Sequence, residues 1–134
     1  MKRKTKLSAF TLTEVLVVLI IIGILILLAL PNLMPLVTKA KSTEAKLQLQ
    51  HLYTLEKNYF YEKSRYTSEL SELSFEQQAL TTQGGQANYK IEIIQASNTG
   101  FKARATAIVD FDGNGTFNVW EIDQNKNLIE VTPD

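Results

Sequence analysis

The 21 residues from Phe10 to Leu30 constrain this chain more than any other stretch. They read F-T-L-T-E-V-L-V-V-L-I-I-I-G-I-L-I-L-L-A-L, with one carboxylate and no other charge. Coiled as an α-helix, the run rises about 31 Å, the thickness of a bilayer's hydrocarbon core. A chain of 134 residues has too little remaining mass to enclose such a rod on all sides. The run therefore reads as a membrane span with one small domain attached to it.

The formal net charge of zero conceals an asymmetry, because Lys2, Arg3, Lys4 and Lys6 all precede the span. Beyond Ala9, ten basic residues face fourteen acidic ones, a net charge of −4. That balance argues against nucleic-acid binding by the head, which needs a concentrated basic surface. Absence of cysteine excludes disulfides and thiolate metal sites. A small head outside the cytoplasm must then be held by packing, by a bound ion or by neighbours. Positive charge ahead of an apolar run predicts a cytoplasmic N-terminus and a translocated C-terminal domain. A secretory signal peptide shares the basic start and apolar core. The length of this run, and the lack of a small-x-small pattern around Leu30-Pro31-Asn32, argue against removal of the whole segment.

Glu14 is the unusual residue in the span. A carboxylate in hydrocarbon costs on the order of 2.5 kcal/mol or more, so it needs a partner, a task or a position at headgroup depth. Glu14 lies one helical turn after Phe10, on nearly the same face. Cleavage before Phe10 would create an ammonium able to pair with Glu14 of the same or an adjacent molecule.

Ser8-Ala9-Phe10-Thr11-Leu12-Thr13-Glu14, between a short basic leader and a continuous apolar run, resembles the cleavage and methylation signal of type IV pilins and type II secretion pseudopilins. Pro31, twenty-second in the chain that cleavage would leave, matches a helix-bending proline common in that family. Glu56 to Tyr66 resembles the end of the long helix and the following loop in major-pilin-like subunits. The resemblance implies cleavage between Ala9 and Phe10 by a prepilin peptidase, N-methylation of Phe10, and a role for Glu14 in meeting a neighbour's N-terminal amine. It further implies storage in a bacterial inner membrane, then assembly by a membrane platform with other copies and other pilins into a filament. One position departs from the pattern: Ala9 stands where the family normally has glycine, which puts the rate of cleavage in question.

The residues themselves sketch an α+β fold, and the resemblance implies that it is pilin-like. A long N-terminal helix, with a transmembrane first half (10–35) and an amphipathic second half (36–63), would pack on a small antiparallel sheet of three or four strands. Pro31 and Pro35 each lack an amide hydrogen and crowd a carbonyl one turn back. Together with Gly23 they mark where the rod would bend or melt on assembly; a proline ending a simple anchor helix is the plainer account. Val37 to Glu62 has neither glycine nor proline. Ala45, Leu49, Leu52 and Tyr59 share a stripe there, predicting one face against the head. His51, the sole histidine, has no identifiable metal or triad partner and reads as a surface or subunit-contact residue.

Residues 64–86 form the connection to the sheet, with Thr81 to Gly85 as a loop. In 87–134, Tyr89, Ile91 and Ile93 alternate with charged residues. After Ser97-Asn98-Thr99-Gly100, Phe101, Ala103, Ala105, Ala107 and Val109 alternate again, predicting a hairpin with one buried face. Phe117 to Ile122 and Leu128 to Val131 predict two more strands. Trp120 and Tyr66 read as the cover of a small core.

The acidic loop 110–121 carries the one chemical motif of the head. Asp110, Asp112, Asn114, Thr116, Asn118 and Glu121 fit the pattern D-x-[DN]-x-[DN]-G-x5-E, a set of hard oxygen donors suited to calcium, with Gly115 at the sharp turn. Strand patterns on both sides argue against an EF-hand, and Gly113-Asn114-Gly115 is equally a tight turn with exposed acids. Catalytic triads, phosphate loops and histidine clusters are all missing from the sequence. The chain therefore reads as a filament subunit rather than an enzyme; the alternative is a single-span membrane-anchored calcium-binding module that does not assemble.

Overall fold

The computed structural model describes residues 8–134. Residues 1–7, most of the basic leader, lie outside the described residues. A single helix, α1, runs Leu12–Lys63 over 52 residues. It stays helical through Gly23, Pro31 and Pro35. Each proline deletes one intrahelical donor, so the carbonyls of Leu27 and Pro31 lose their usual partners.

The chain divides into two compact units, one ending at Met34 and one running Pro35–Asp134. In the first, apolar side chains such as Leu19, Ile20, Leu25 and Leu27 are each more than half exposed. The helix is long and apolar enough to cross a membrane, consistent with a single-pass anchor.

In the second unit, Thr38, Ser42, Ala45, Leu49, Leu52 and Glu56 of α1 are buried. Their spacing of four and three residues follows the helix period and draws one stripe. Ala45, Leu49 and Leu52 of that stripe join Tyr89, Phe101 and Ile122 in the hydrophobic core. The polar members at both ends, above all Glu56, were not expected from an apolar pattern.

Four strands complete this α+β unit: β1 (Tyr89–Ala96), β2 (Phe101–Ala107), β3 (Val119–Asp123) and β4 (Leu128–Thr132). They lie in the order β1-β2-β3-β4, antiparallel throughout. In register, Ile91 faces Ala105 and Ala105 faces Trp120. The alanines Ala103, Ala105 and Ala107 are all buried, and small side chains there leave room for α1 to pack closely. β2 ends at Ala107, two residues before the end of its sequence alternation, and β3 begins at Val119 rather than Phe117. The residues between are drawn into side-chain-capped turns of the acidic loop.

Ser97 closes the first hairpin: its Oγ accepts from the amides of Thr99 and Gly100. A side chain at Gly100 would strike Gln124. The outer edge of β1 is met by a side chain instead of a strand. Gln77 Oε1 accepts from Ile91 N at 2.8 Å, and its Nε2 donates to Tyr89 O at 3.2 Å. Glu44 continues this cover, accepting from the amides of Asn88 and Tyr89 and from the Asn88 side chain. Tyr66 is buried between Phe60 and Phe101, with ring centroids 4.7 and 5.1 Å away. Trp120 is half-buried under Lys46, whose Nζ lies 4.4 Å from the ring centroid. His51 is exposed, with its ring 5.9 Å from that of Phe75.

Candidate functional site

Two groups of residues carry the candidate chemistry, one in each unit. At the start of α1, Thr11 N donates to Glu14 Oε2 at 3.0 Å, and Glu14 N donates to Thr11 Oγ1 at 3.2 Å. This reciprocal pair is a capping box, which satisfies two amides left orphaned at a helix N-terminus. The T-x-x-E spacing of Thr11 and Glu14 signals it in the sequence. Ser8, Ala9, Phe10 and Glu14 line one open recess of about 240 Å³, so the two residues flanking the expected cleavage point stand beside the carboxylate. Phe10 is 87% exposed.

In the head, the acidic loop is built by its own side chains. Asp110 accepts from Gly113 N at 2.7 Å through Oδ1 and from Gly115 N at 2.6 Å through Oδ2. Asp112 accepts from the amide and the side chain of Asn114. Asn114 Oδ1 in turn accepts from Thr116 N at 2.6 Å. Gly113 and Gly115 take φ values of 78° and 86°, a left-handed conformation that side-chain-bearing residues adopt reluctantly. Donation from the amide of Gly115, foremost, holds the Asp110 carboxyl below the usual range.

The six ligands suggested by spacing separate in space. Asn118 is fully buried and turns inward, its Oδ1 accepting from Tyr89 Oη and its Nδ2 donating to Glu130 and to the carbonyl of Thr132. Glu121 lies in β3 and accepts from Arg104 Nε and Nη2 at 2.9 and 2.6 Å. Asp134 takes a place beside the loop instead, its Oδ2 accepting from Phe111 N at 3.0 Å. One oxygen each from Asp110, Asp112 and Asp134 lies within 4.8 Å of the others. Asp134 Oδ1 is buried with no hydrogen-bond partner among the described residues. Desolvation, reinforced by Asp112 and Asp110, pushes the Asp134 carboxyl up. These hard oxygen donors are in principle able to coordinate a cation such as calcium. Three carboxylates are fewer than the six to eight oxygens calcium takes, so carbonyls or water would have to complete the shell.

No family model matches the chain. Over 66 residues it is 44% identical to the type IV major pilin protein PilA of Myxococcus xanthus (strain DK1622), a match covering 49% of this chain and 30% of that relative. This similarity supports a pilin-family identification. The long apolar helix and four-stranded antiparallel sheet are consistent with a pilin-like fold, and a pilin-family chain is consistent with a non-catalytic, structural role. The matched stretch spans under a third of the relative's own length.

The pilin-like head also holds features that the sequence reading missed. Asp134 is distant in sequence from Asp110 and is brought beside it by β4, so no local spacing could reveal the grouping. The Gln77 contact with β1 is invisible for the same reason. The Thr11–Glu14 cap, by contrast, was legible from four consecutive residues.

Proposed function

We propose that the chain is a structural subunit of a type IV pilus or a related pseudopilus. A prepilin peptidase removes residues 1–9 by cutting between Ala9 and Phe10, and Phe10 becomes the N-methylated first residue. Residues 10–35 hold the subunit in the inner membrane as a single-pass protein with its head outside the cytoplasm. An assembly platform then transfers the span from lipid into the core of a helical filament of like subunits.

The observation that carries this reading is the unburied apolar surface of α1 before Pro35, beside a carboxylate capped at its first turn. In lipid that surface is already satisfied, so the transfer exchanges lipid contact for packing against neighbouring spans. Glu14 supplies direction, because an ionised carboxylate in an apolar medium gains most from a positive partner. A neighbour's Phe10 ammonium would be that partner. Helix loosening between Gly23 and Pro35, where two prolines remove helical amide donors, would let the rod adapt to its packing.

The test is to shear filaments from cells carrying the complete assembly machinery and to identify the N-terminal residue by mass spectrometry. An N-methylated Phe10 in filaments is the expected result. A chain that keeps residues 1–9 and stays monomeric overturns the proposal.

One observation favours a second reading, a membrane-anchored calcium-binding module that does not assemble. It is the unpartnered Asp134 oxygen among three carboxylates. Under that reading, removing Asp112 impairs function more than removing Glu14.

A further inference from the structure

We propose that Glu56, Thr67 and Glu72 form a proton-gated latch that ties the segment following α1 back onto the helix, closed while Glu56 is a neutral acid and loosened when it ionises. The geometry rests on one threonine held between two carboxyl groups. Thr67 N donates to Glu56 Oε2 at 3.2 Å, and Thr67 Oγ1 donates to Glu72 Oε2 at 2.6 Å. Glu56 is 0% exposed, and its second oxygen, Oε1, is buried without a hydrogen-bond partner among the described residues. Glu72 is at the surface and is further held by the phenol of Tyr59 at 2.9 Å.

Ionising Glu56 would place a carboxylate in the core with one oxygen unpaired, whereas the neutral acid carries a far smaller desolvation cost. Among the described residues, the charge that acts on Glu56 is that of Glu72, which opposes ionisation. On α1, Lys57 donates to Tyr66 Oη at 3.1 Å and Lys63 acts on Glu72. From the connecting segment come Arg65, which donates to Tyr59 Oη, and the acids Glu69 and Glu72. The hairpin lines the recess beside Thr67 with the neutral Ala96, Ser97 and Asn98. Burial therefore pushes the Glu56 carboxyl from its ordinary 4.5 up to about 7, with the Thr67 amide opposing and the Glu72 charge adding to the rise. Hydrogen bonds from Thr67 and Tyr59 pull Glu72 the other way. Near neutral pH, then, Glu56 titrates while Glu72 remains charged.

The sign follows from linkage. The folded chain holds the proton on Glu56 more tightly than the unfolded chain does. The contribution is full below about pH 4.5 and is lost as pH rises through about 7. The latch closes one wall of an open recess of about 340 Å³ lined by Arg65, Thr67, Glu72 and Ser97, so its loosening exposes the joint between α1 and the first hairpin.

Amide hydrogen exchange at Thr67 in the full chain in detergent micelles, corrected for intrinsic rates, tests this at about pH 5.5 and about pH 8. Protection should fall about tenfold or more in the wild type, since each unit between folded and unfolded pKa values supplies up to a factor of ten. Glu56→Gln should flatten the profile; Glu72→Gln should keep the fall and move it to lower pH. An equal fall in Glu56→Gln, no fall in the wild type, or a profile flattened by Glu72→Gln alone overturns the proposal. Should Glu56→Gln not fold, the carboxyl carbon shift of Glu56 in the wild type decides: a near-neutral midpoint supports the latch and an ordinary carboxylate midpoint overturns it. None of these outcomes depends on filament assembly.

Discussion

The phenol of Tyr89 donates to Asn118 Oδ1 at 2.7 Å, with both side chains sealed from solvent. Asn118 Nδ2 continues the path to Glu130 Oε1 at 2.7 Å and to Thr132 O at 3.1 Å. A single amide thus joins β1, the residue before β3, and β4. Burial, with Glu44, Asp134 and Glu130 acting in the same direction, pushes the Tyr89 phenol up, so it stays a donor across the physiological range.

Tyr89→Phe should cost about 1–3 kcal/mol, because the substitution leaves a buried amide oxygen without its donor. Asn118→Ala should cost more, since it strands the buried Tyr89 Oη and removes the donor to the Thr132 carbonyl together. Thermal melting of the full chain in detergent reads both, and equal stabilities for the two variants would contradict this account.

Arg104→Met should destabilise the head by about 1–2 kcal/mol, a value discounted because Arg104 is partly exposed. Glu121, with a side chain 8% exposed, would keep Lys102 at 3.8 Å as its one ion-pair partner among the described residues. The double change Arg104→Met with Glu121→Met should recover most of the loss. A double-mutant cycle from melting curves checks it.

Calcium at about millimolar levels should raise the melting temperature of the wild type, and Asp112→Asn or Asp134→Asn should abolish the rise. Glu121→Gln should keep it, because Glu121 is engaged by Arg104 in the sheet. A wild-type melting temperature indifferent to calcium would leave the loop as a self-capped turn.

Thr11→Ala should remove about 1 kcal/mol of capping from the start of α1, and Thr11→Ser should restore it. Amide exchange at Glu14, whose N–H donates to Thr11 Oγ1, measures the fraying directly. Glu14→Ala should in addition lower the yield of sheared filaments while leaving cleavage after Ala9 intact, seen as a mature-length band on a gel.

The parts of the fold governed by short-range periodicity were legible in the sequence. Alternation from Tyr89 to Ala107 located the first hairpin because each inward residue meets the same core, and the stripe Ala45, Leu49, Leu52 was readable from helical spacing. Glu56 was not, because a charged residue interrupts an apolar stripe without announcing that a later threonine will meet it. The acidic loop was legible as a turn and misleading as a ligand set: its pattern assumes that every oxygen points inward, whereas Asn118 and Glu121 follow the strand geometry of their own neighbours. Asp134 reaches the loop only through the pairing of β3 with β4, which no local spacing encodes.

The glutamine on the rim of β1 bears on how such a molecule survives crowding. Naked strand margins invite chains to stack edge to edge. By lending its carboxamide as a counterfeit peptide unit, Gln77 occupies the rungs at Tyr89 and Ile91 that an intruding strand would need. Crowded heads then have one fewer way to fuse into an unwanted aggregate.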